Sequence, residues 1–142
     1  MSVFTSTLIS APAETVWTAI KNFHDMSWAR GVVDSCEPVG DKAGDQVGAK
    51  RVLNGTFRET LLAIDETEKS LAYSIDDGPG TPVAKENVSG YIGKLRVIPV
   101  TDSNEALVVW TAHWEQGNNE VKPFCTNVYN HALQALKANV KA

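Results

Sequence analysis

The stretch Asn119-Glu120-Val121-Lys122-Pro123-Phe124-Cys125-Thr126-Asn127-Val128-Tyr129-Asn130-His131-Ala132-Leu133-Gln134-Ala135-Leu136-Lys137-Ala138-Asn139-Val140-Lys141-Ala142 decides the fold of this chain. It reads as one long helix from about Glu120 to about Lys141, roughly 30 Å long at about 1.5 Å per residue. Stepping roughly 100° per residue places Phe124, Ala135, Val128, Val121, Ala132, Cys125, Leu136, Tyr129, Val140 and Leu133 on one broad half of the cylinder. Thr126, Lys137, Asn130, Lys141, Gln134, Asn127 and His131 fill the other half, and Lys122 and Asn139 intrude on the apolar side near its ends. An apolar arc this wide implies a helix embraced by its partner. Pro123 suits a first turn, where a backbone N–H has no intrahelical acceptor, and Asn118 or Asn119 is a candidate cap. The centre of the arc is small (Cys125, Val128, Ala132), with Phe124, Tyr129, Leu133 and Leu136 at its flanks or further along. Such a helix leaves space against its partner, unless partner side chains fill it.

What precedes the helix must supply that partner. Ser2 to Ser10 interleaves Thr and Ser with Val3, Phe4, Leu8 and Ile9, as a strand does. A first helix follows, with Ser10 or Ala11 at the cap, Pro12 at the first helical position and Glu14 in the first turn. Val16, Trp17, Ile20 and Phe23 carry its spacing to an end near Asn22, and a short second turn runs through Asp25 to Trp28. Strands are then expected at about 32–39, 47–53, 57–65, 70–76, 87–100 and 105–115, separated by Gly, Asn, Asp and Pro clusters. Strands joined by short turns form an antiparallel meander, and the terminal helix has the surface to cover one face of it.

At 142 residues with a net charge of −4, the chain suits one domain, residues 1–142, and offers no basic cluster for nucleic acid. No apolar run approaches the roughly 20 residues of a membrane span, and the N-terminus lacks the pattern of a signal peptide. A cytoplasmic location is therefore expected, with Cys36 and Cys125 as free thiols used as small hydrophobes. His24, His113 and His131 are scattered, so no metal site is expected. Gly40 to Gly48 lacks the ending of a phosphate loop and reads as a strand connection, and no cofactor is expected. Asp77 to Pro82 is either a lid over a cavity or an ordinary connection.

Several stretches together carry a resemblance. They are Ala11-Pro12-Ala13-Glu14-Thr15-Val16-Trp17 with Asn22-Phe23 and Trp28, Cys36-Glu37, Gly44-Asp45-Gln46-Val47-Gly48-Ala49-Lys50-Arg51, and Phe57-Arg58-Glu59 with Ile64-Asp65. Leu71-Ala72-Tyr73-Ser74-Ile75, Tyr91, Pro99-Val100-Thr101, Trp110 and Trp114-Glu115 follow in order. Over nearly its whole length the chain resembles the START-like, or helix-grip (SRPBCC), superfamily, and within it the polyketide cyclase/dehydrase group. The resemblance implies an α+β helix-grip fold: a curved antiparallel sheet of about seven strands wrapped around the long C-terminal helix, with two short helices after the first strand and an apolar ligand cavity between sheet and helix.

Strand alternation assigns faces. Tyr91, Gly93, Leu95 and Val97 share one face of their strand, with Lys94 and Arg96 on the other. Ala106, Val108, Trp110, Ala112 and Trp114 form the apolar face of the last strand, and Tyr73 and Ile75 point inward. For the hairpin at Asn54-Gly55, a two-residue turn would set Arg51 against Arg58. A three-residue loop, Asn54-Gly55-Thr56, pairs Arg51 with Glu59, Leu53 with Phe57 and Ala49 with Leu61, and is preferred because opposite charges and apolar residues then face each other. It places Arg51 and Glu59 on the cavity side, where each ion is costly to bury alone. Arg51 then fixes or polarises a ligand oxygen while Glu59 moves a proton, or the two form a structural cross-strand pair at the cavity rim. In plant relatives of the resembled family, an Arg and a Glu at positions like these are implicated in catalysis.

The expected function is binding of a small hydrophobic or amphipathic ligand, lipid- or polyketide-like. Tyr73, Tyr91, Leu95, Trp110, Phe124 and Val128 would line its cavity, with Arg51 and Glu59 as polar anchors. The alternatives are an enzyme of the cyclase, dehydratase or isomerase type using Glu59 as acid/base and Arg51 as oxygen stabiliser, and a structural module whose core is filled.

Overall fold

The C-terminal pattern is realised as a 19-residue helix, α3 (Val121–Asn139), in a computed structural model that describes residues 1–141. Ala142, the end of the quoted stretch, and the Thr81 side chain lie outside the described residues. α3 buries Val121, Cys125, Tyr129, Ala132, Leu133 and Leu136, while Phe124 and Val128 are half-buried. Pro123 falls in its first turn, and Asn118 accepts the Glu120 backbone N–H at 2.8 Å.

The strands are β1 (Ser2–Ile9), β2 (Cys36–Val39), β3 (Lys50–Leu53), β4 (Phe57–Asp65), β5 (Ser70–Asp77), β6 (Ile92–Val100) and β7 (Glu105–His113). All pair antiparallel in one seven-stranded sheet of order β1-β7-β6-β5-β4-β3-β2. Between β1 and β2 lie α1 (Ala13–Ile20) and a 3-10 turn (Ser27–Ala29), and a single helical turn, α2 (Gly80–Val83), sits between β5 and β6. The element order and the meander are those expected. β1 shows why alternation was readable, since Val3, Thr5, Thr7 and Ile9 are buried and the residues between them exposed. α3 crosses the inner face and packs on β1, and α1 packs on β6 and β7 through Val16, Trp17 and Ile20. Register shifts in β4 against β5, at Arg58/Glu59 and Leu61/Ala63, are the irregularities that bend a sheet.

Several element ends differ from the sequence expectation. The strand expected from residue 32 starts at Cys36, because Val32 and Val33 both donate to the Ala29 carbonyl, and Asp34 and Ser35 donate to the Asn54 side chain. Those donors are spent before a ladder can form. The strand expected from residue 87 starts at Ile92: Asn87 and Val88 turn back onto the Ala84 carbonyl, and Gly90 takes a φ of 68°. β3 starts at Lys50 after a turn in which Ala49 donates to the Gln46 carbonyl. Pro12 caps α1 from outside instead of opening it, and the helix closes at Ile20, where the Lys21 N–H still reaches the Trp17 carbonyl.

The β3–β4 hairpin has the preferred three-residue loop. Arg51 faces Glu59 and Leu53 faces Phe57, while Gly48 and Ala49 continue the ladder to Leu61. Asn54 starts this loop in the left-handed region, with φ 53°. Its side-chain amide also donates to the Val32 carbonyl, so the hairpin tip holds the 32–35 segment against it.

Gly93 faces Tyr73 across β5 and β6, and the tyrosine ring crosses the space a side chain there would fill. The Gly93→Ala variant is expected to lose about 1–3 kcal/mol, the cost of overpacking a well-packed site. Urea unfolding measures this, and an unchanged midpoint would show that the ring is free to move aside.

Candidate functional site

Between α3 and the strands β3 to β7 lies a cavity of about 330 Å³. Its wall is formed by Arg51 and Leu53 from β3, Phe57 and Glu59 from β4, Tyr73 and Ile75 from β5, and Trp110 from β7, with Tyr91 just before β6. α3 contributes Phe124, Cys125, Val128, Tyr129 and Ala132. The small residues at the centre of the apolar arc therefore do leave room. Met26, Val32, Val33, Asn54 and Pro79 complete the lining. Burial gives the cavity a direction. Tyr73, Tyr91, Tyr129, Cys125 and Ala132 are nearly inaccessible, whereas Val32, Val33, Phe57, Ile75, Pro79, Phe124 and Val128 are half-exposed and mark the mouth. At this mouth Phe57 and Phe124 stack, ring centres 6.3 Å apart.

Arg51 and Glu59 are 5% exposed, so the pair belongs to the wall and not to the rim. Arg51 Nη2 and Nε reach the same carboxylate oxygen, Oε1, at 2.6 and 2.8 Å. Nη1 donates to the Phe23 carbonyl at 3.0 Å, and the guanidinium lies 3.7 Å above the Phe23 ring centre. This guanidinium is thus held by protein on several sides, an arrangement that meets the desolvation cost of a buried cation. Among the described residues no protein hydrogen bond reaches Glu59 Oε2. Burial pushes the Glu59 carboxyl above its ordinary range, against the pull of Arg51.

A second polar group was not foreseen as a unit. Trp110 Nε1 donates to the Tyr73 hydroxyl at 3.0 Å, the Tyr73 hydroxyl contacts that of Tyr129 at 2.9 Å, and the Tyr129 hydroxyl contacts that of Tyr91. Trp110 also stacks on Tyr129, with ring centres 4.1 Å apart. Burial drives all three phenols far above the ordinary tyrosine value, so they stay protonated. The buried Cys125 thiol is likewise pushed up, so it is a thiol and not an activated nucleophile.

Of the site residues expected from sequence, Arg51, Glu59, Tyr73, Tyr91, Trp110, Phe124 and Val128 all line the cavity. Leu95 does not. It is buried on the correct face, between Leu71 and Trp110 on the neighbouring strands, and of these three only Trp110 reaches the cavity. Cys125 and Ala132, expected from sequence as the small centre that leaves space, and Tyr129, expected only as part of the buried arc, also line the cavity. The signal for Tyr129 was a phenol on an apolar arc, which needs a partner once buried. Pro79 of the suspected lid lines the cavity, and the segment after it is the helical turn α2. Among the described residues no cluster of His, Cys, Asp and Glu is placed to hold a metal, and no helix is long and apolar enough to cross a membrane.

A curved seven-stranded antiparallel sheet gripping a C-terminal helix, with a cavity between them, defines a helix-grip protein. The family model described as polyketide cyclase / dehydrase and lipid transport matches residues 1–141, and the chain belongs to that family. It is similar to a solved protein from Nitrosospira multiformis, with 39% identity, a TM-score of 0.96, and coverage of 100% of this chain and 97% of that one. A protein from Thermobifida fusca is 27% identical with a TM-score of 0.78, covering 96% and 90%. The major latex-like protein 151 of Panax ginseng shares the fold at 17% identity and a TM-score of 0.77, covering 97% and 95%. No curated protein matches the chain.

The raised Glu59 carboxyl has a consequence for stability. The folded protein holds this proton more tightly than the unfolded chain, whose carboxyl titrates near the ordinary value of 4.5. The stability it contributes is complete below that value and is lost as pH rises through the folded value, with a limiting slope of about 1.4 kcal/mol per pH unit. The stability of the wild type relative to Glu59→Gln should therefore fall as pH is raised from about 4 to about 8. Parallel urea titrations check this, and a difference that rises with pH would mean that Arg51 dominates the carboxyl.

Proposed function

We propose that this protein binds a compact hydrophobic or amphipathic molecule bearing oxygen, lipid- or polyketide-like, in the cavity between the sheet and α3. One observation carries the reading: an apolar cavity whose buried wall presents a carboxylate with one unpartnered oxygen and a hydrogen-bonded set of phenols. Pockets with few polar groups in apolar walls suit such ligands. The family description, polyketide cyclisation and dehydration and lipid transport, supports the same class. At roughly 30 Å³ per water, the 330 Å³ correspond to a guest on the order of a dozen heavy atoms. Tyr73, Tyr91, Trp110, Phe124 and Val128 supply contact surface, with Arg51 and Glu59 as polar anchors.

Native mass spectrometry of gently purified protein tests this. The wild type is expected to carry a discrete small organic mass, absent from a Val128→Trp variant that fills the cavity from its half-exposed side. A bare wild type that also takes up no naphthalene-sized dye would sink the reading.

A second reading, an enzyme of the cyclase, dehydratase or isomerase type, is favoured by the state of Glu59. Its unpartnered oxygen and raised carboxyl are what a proton shuttle needs. Arg51 would then act by holding Oε1 and adding positive charge beside the reacting oxygen. Such an enzyme should speed deuterium exchange at the methyl carbon of bound 2-acetylnaphthalene. Glu59→Gln should lose at least tenfold of that exchange at roughly unchanged affinity. Loss of affinity in step with exchange would assign Glu59 to binding alone.

A further inference from the structure

The hydrogen-bond chain at the floor of the cavity contains one donor too many. Trp110 Nε1 is a donor only, so Tyr73 accepts from it. Each of Tyr73, Tyr129 and Tyr91 carries one hydroxyl hydrogen. Together these four hydrogens serve three contacts: Trp110 to Tyr73, Tyr73 with Tyr129, and Tyr129 with Tyr91. Whichever way the phenols turn, one hydroxyl hydrogen is left over, on Tyr91, Tyr129 or Tyr73, and all three residues line the cavity. If the chain runs away from Trp110, the surplus falls on Tyr91, which shares the cavity lining with the Cys125 thiol. Sulfur is a weak acceptor, so a better one would displace it. A buried donor without a good acceptor is costly, and the cost is recovered when an acceptor arrives.

We infer that the Trp110–Tyr73–Tyr129–Tyr91 chain is a subsite for a carbonyl-type acceptor oxygen, and that it selects ligands by the presence of that oxygen at the buried end of the molecule. This deepens the ligand-binding reading and rests on it. The neutral phenols complement a neutral or partly charged oxygen and discriminate against a plain hydrocarbon of the same shape. A donor lost from the chain also matters at a distance. In Tyr129→Phe the middle link is gone, so the Tyr73 and Tyr91 hydroxyls each keep a hydrogen to spare, whereas in Tyr91→Phe the single surplus passes to Tyr129 or Tyr73. Tyr91→Phe removes the terminal hydroxyl and keeps the ring that stacks on Trp114 with ring centres 6.0 Å apart.

The test compares 2-acetylnaphthalene with 2-isopropenylnaphthalene, which has the same shape and heavy-atom count but no acceptor oxygen. Calorimetry is run on the wild type, Tyr91→Phe and Tyr129→Phe, each first shown by thermal unfolding to be folded. The wild type should prefer the ketone by roughly tenfold or more; each variant still leaves at least one phenol hydrogen without an acceptor, so both should keep a preference while the bound carbonyl stretch differs from that in the wild type. Infrared spectroscopy of the ketone bound to the wild type should show the carbonyl stretch moved to lower wavenumber, which needs no variant. Equal affinity of the wild type for the two probes, a carbonyl stretch unmoved on binding, or one bound stretch common to the wild type and both variants would overturn the subsite while leaving cavity binding intact. Failure of both probes to bind the wild type would overturn the subsite together with the ligand-binding reading.

Discussion

A helix that is apolar over half its circumference can be buried only by a partner that curves around it. α3 imposes this condition, and the sheet answers it with seven antiparallel strands and two register shifts in β4. A perfect fit would have required large residues along the centre of the helix. Cys125, Val128 and Ala132 stand there instead, and the curved sheet bridges over them. The cavity is thus a direct result of side-chain size on one helix. It also explains why Tyr129, projecting from the same face, meets hydroxyls and an indole carried by the sheet.

The two polar groups in the wall are built on different terms. Arg51 is consumed by protein partners: Glu59, the Phe23 carbonyl and the Phe23 ring. These contacts tie β3 and β4 to the segment after α1, so the pair serves the fold even where it faces the cavity. The tyrosine chain takes one member from β5, one from α3 and one from the approach to β6, and it closes with a hydrogen to spare. Arg51 is close to saturated from within, whereas Glu59 keeps one oxygen, and the tyrosine chain one hydrogen, without a protein partner among the described residues.

Much of this was legible in the sequence. The helical arc and the period-two alternation of β1, β6 and β7 set the element order and the buried faces, because both follow from backbone geometry alone. The Arg51–Glu59 pairing was legible because the alternative register opposed two arginines. Strand ends were not, since they depend on where single donors go: the Asn54 side chain captures Asp34 and Ser35 from twenty residues away. Leu95 shows the limit of alternation, which gives the face of a residue but not which residues of that face reach the cavity. Tyr129 shows the limit of a helical wheel. Its sidedness was correct, but its hydroxyl partners come from strands far off in the chain, and no local pattern announces them.

The stack of Phe57 on Phe124 at the cavity mouth bears on how fast a guest comes and goes. Polarity here runs in the order water, apolar mouth, polar floor. Among the described residues, the polar side chain at the mouth, Asn54, is committed to the Val32, Asp34 and Ser35 backbone. An oxygen travelling between solvent and floor therefore crosses a zone that offers it no partner. A stripped polar group in such a zone costs about 2–7 kcal/mol, and the toll is levied in both directions. For a guest held at the floor, residence time would reflect both the hold of the floor and the barrier at two phenylalanine rings, and a change at the mouth alone would alter entry and exit rates together while leaving equilibrium affinity nearly untouched.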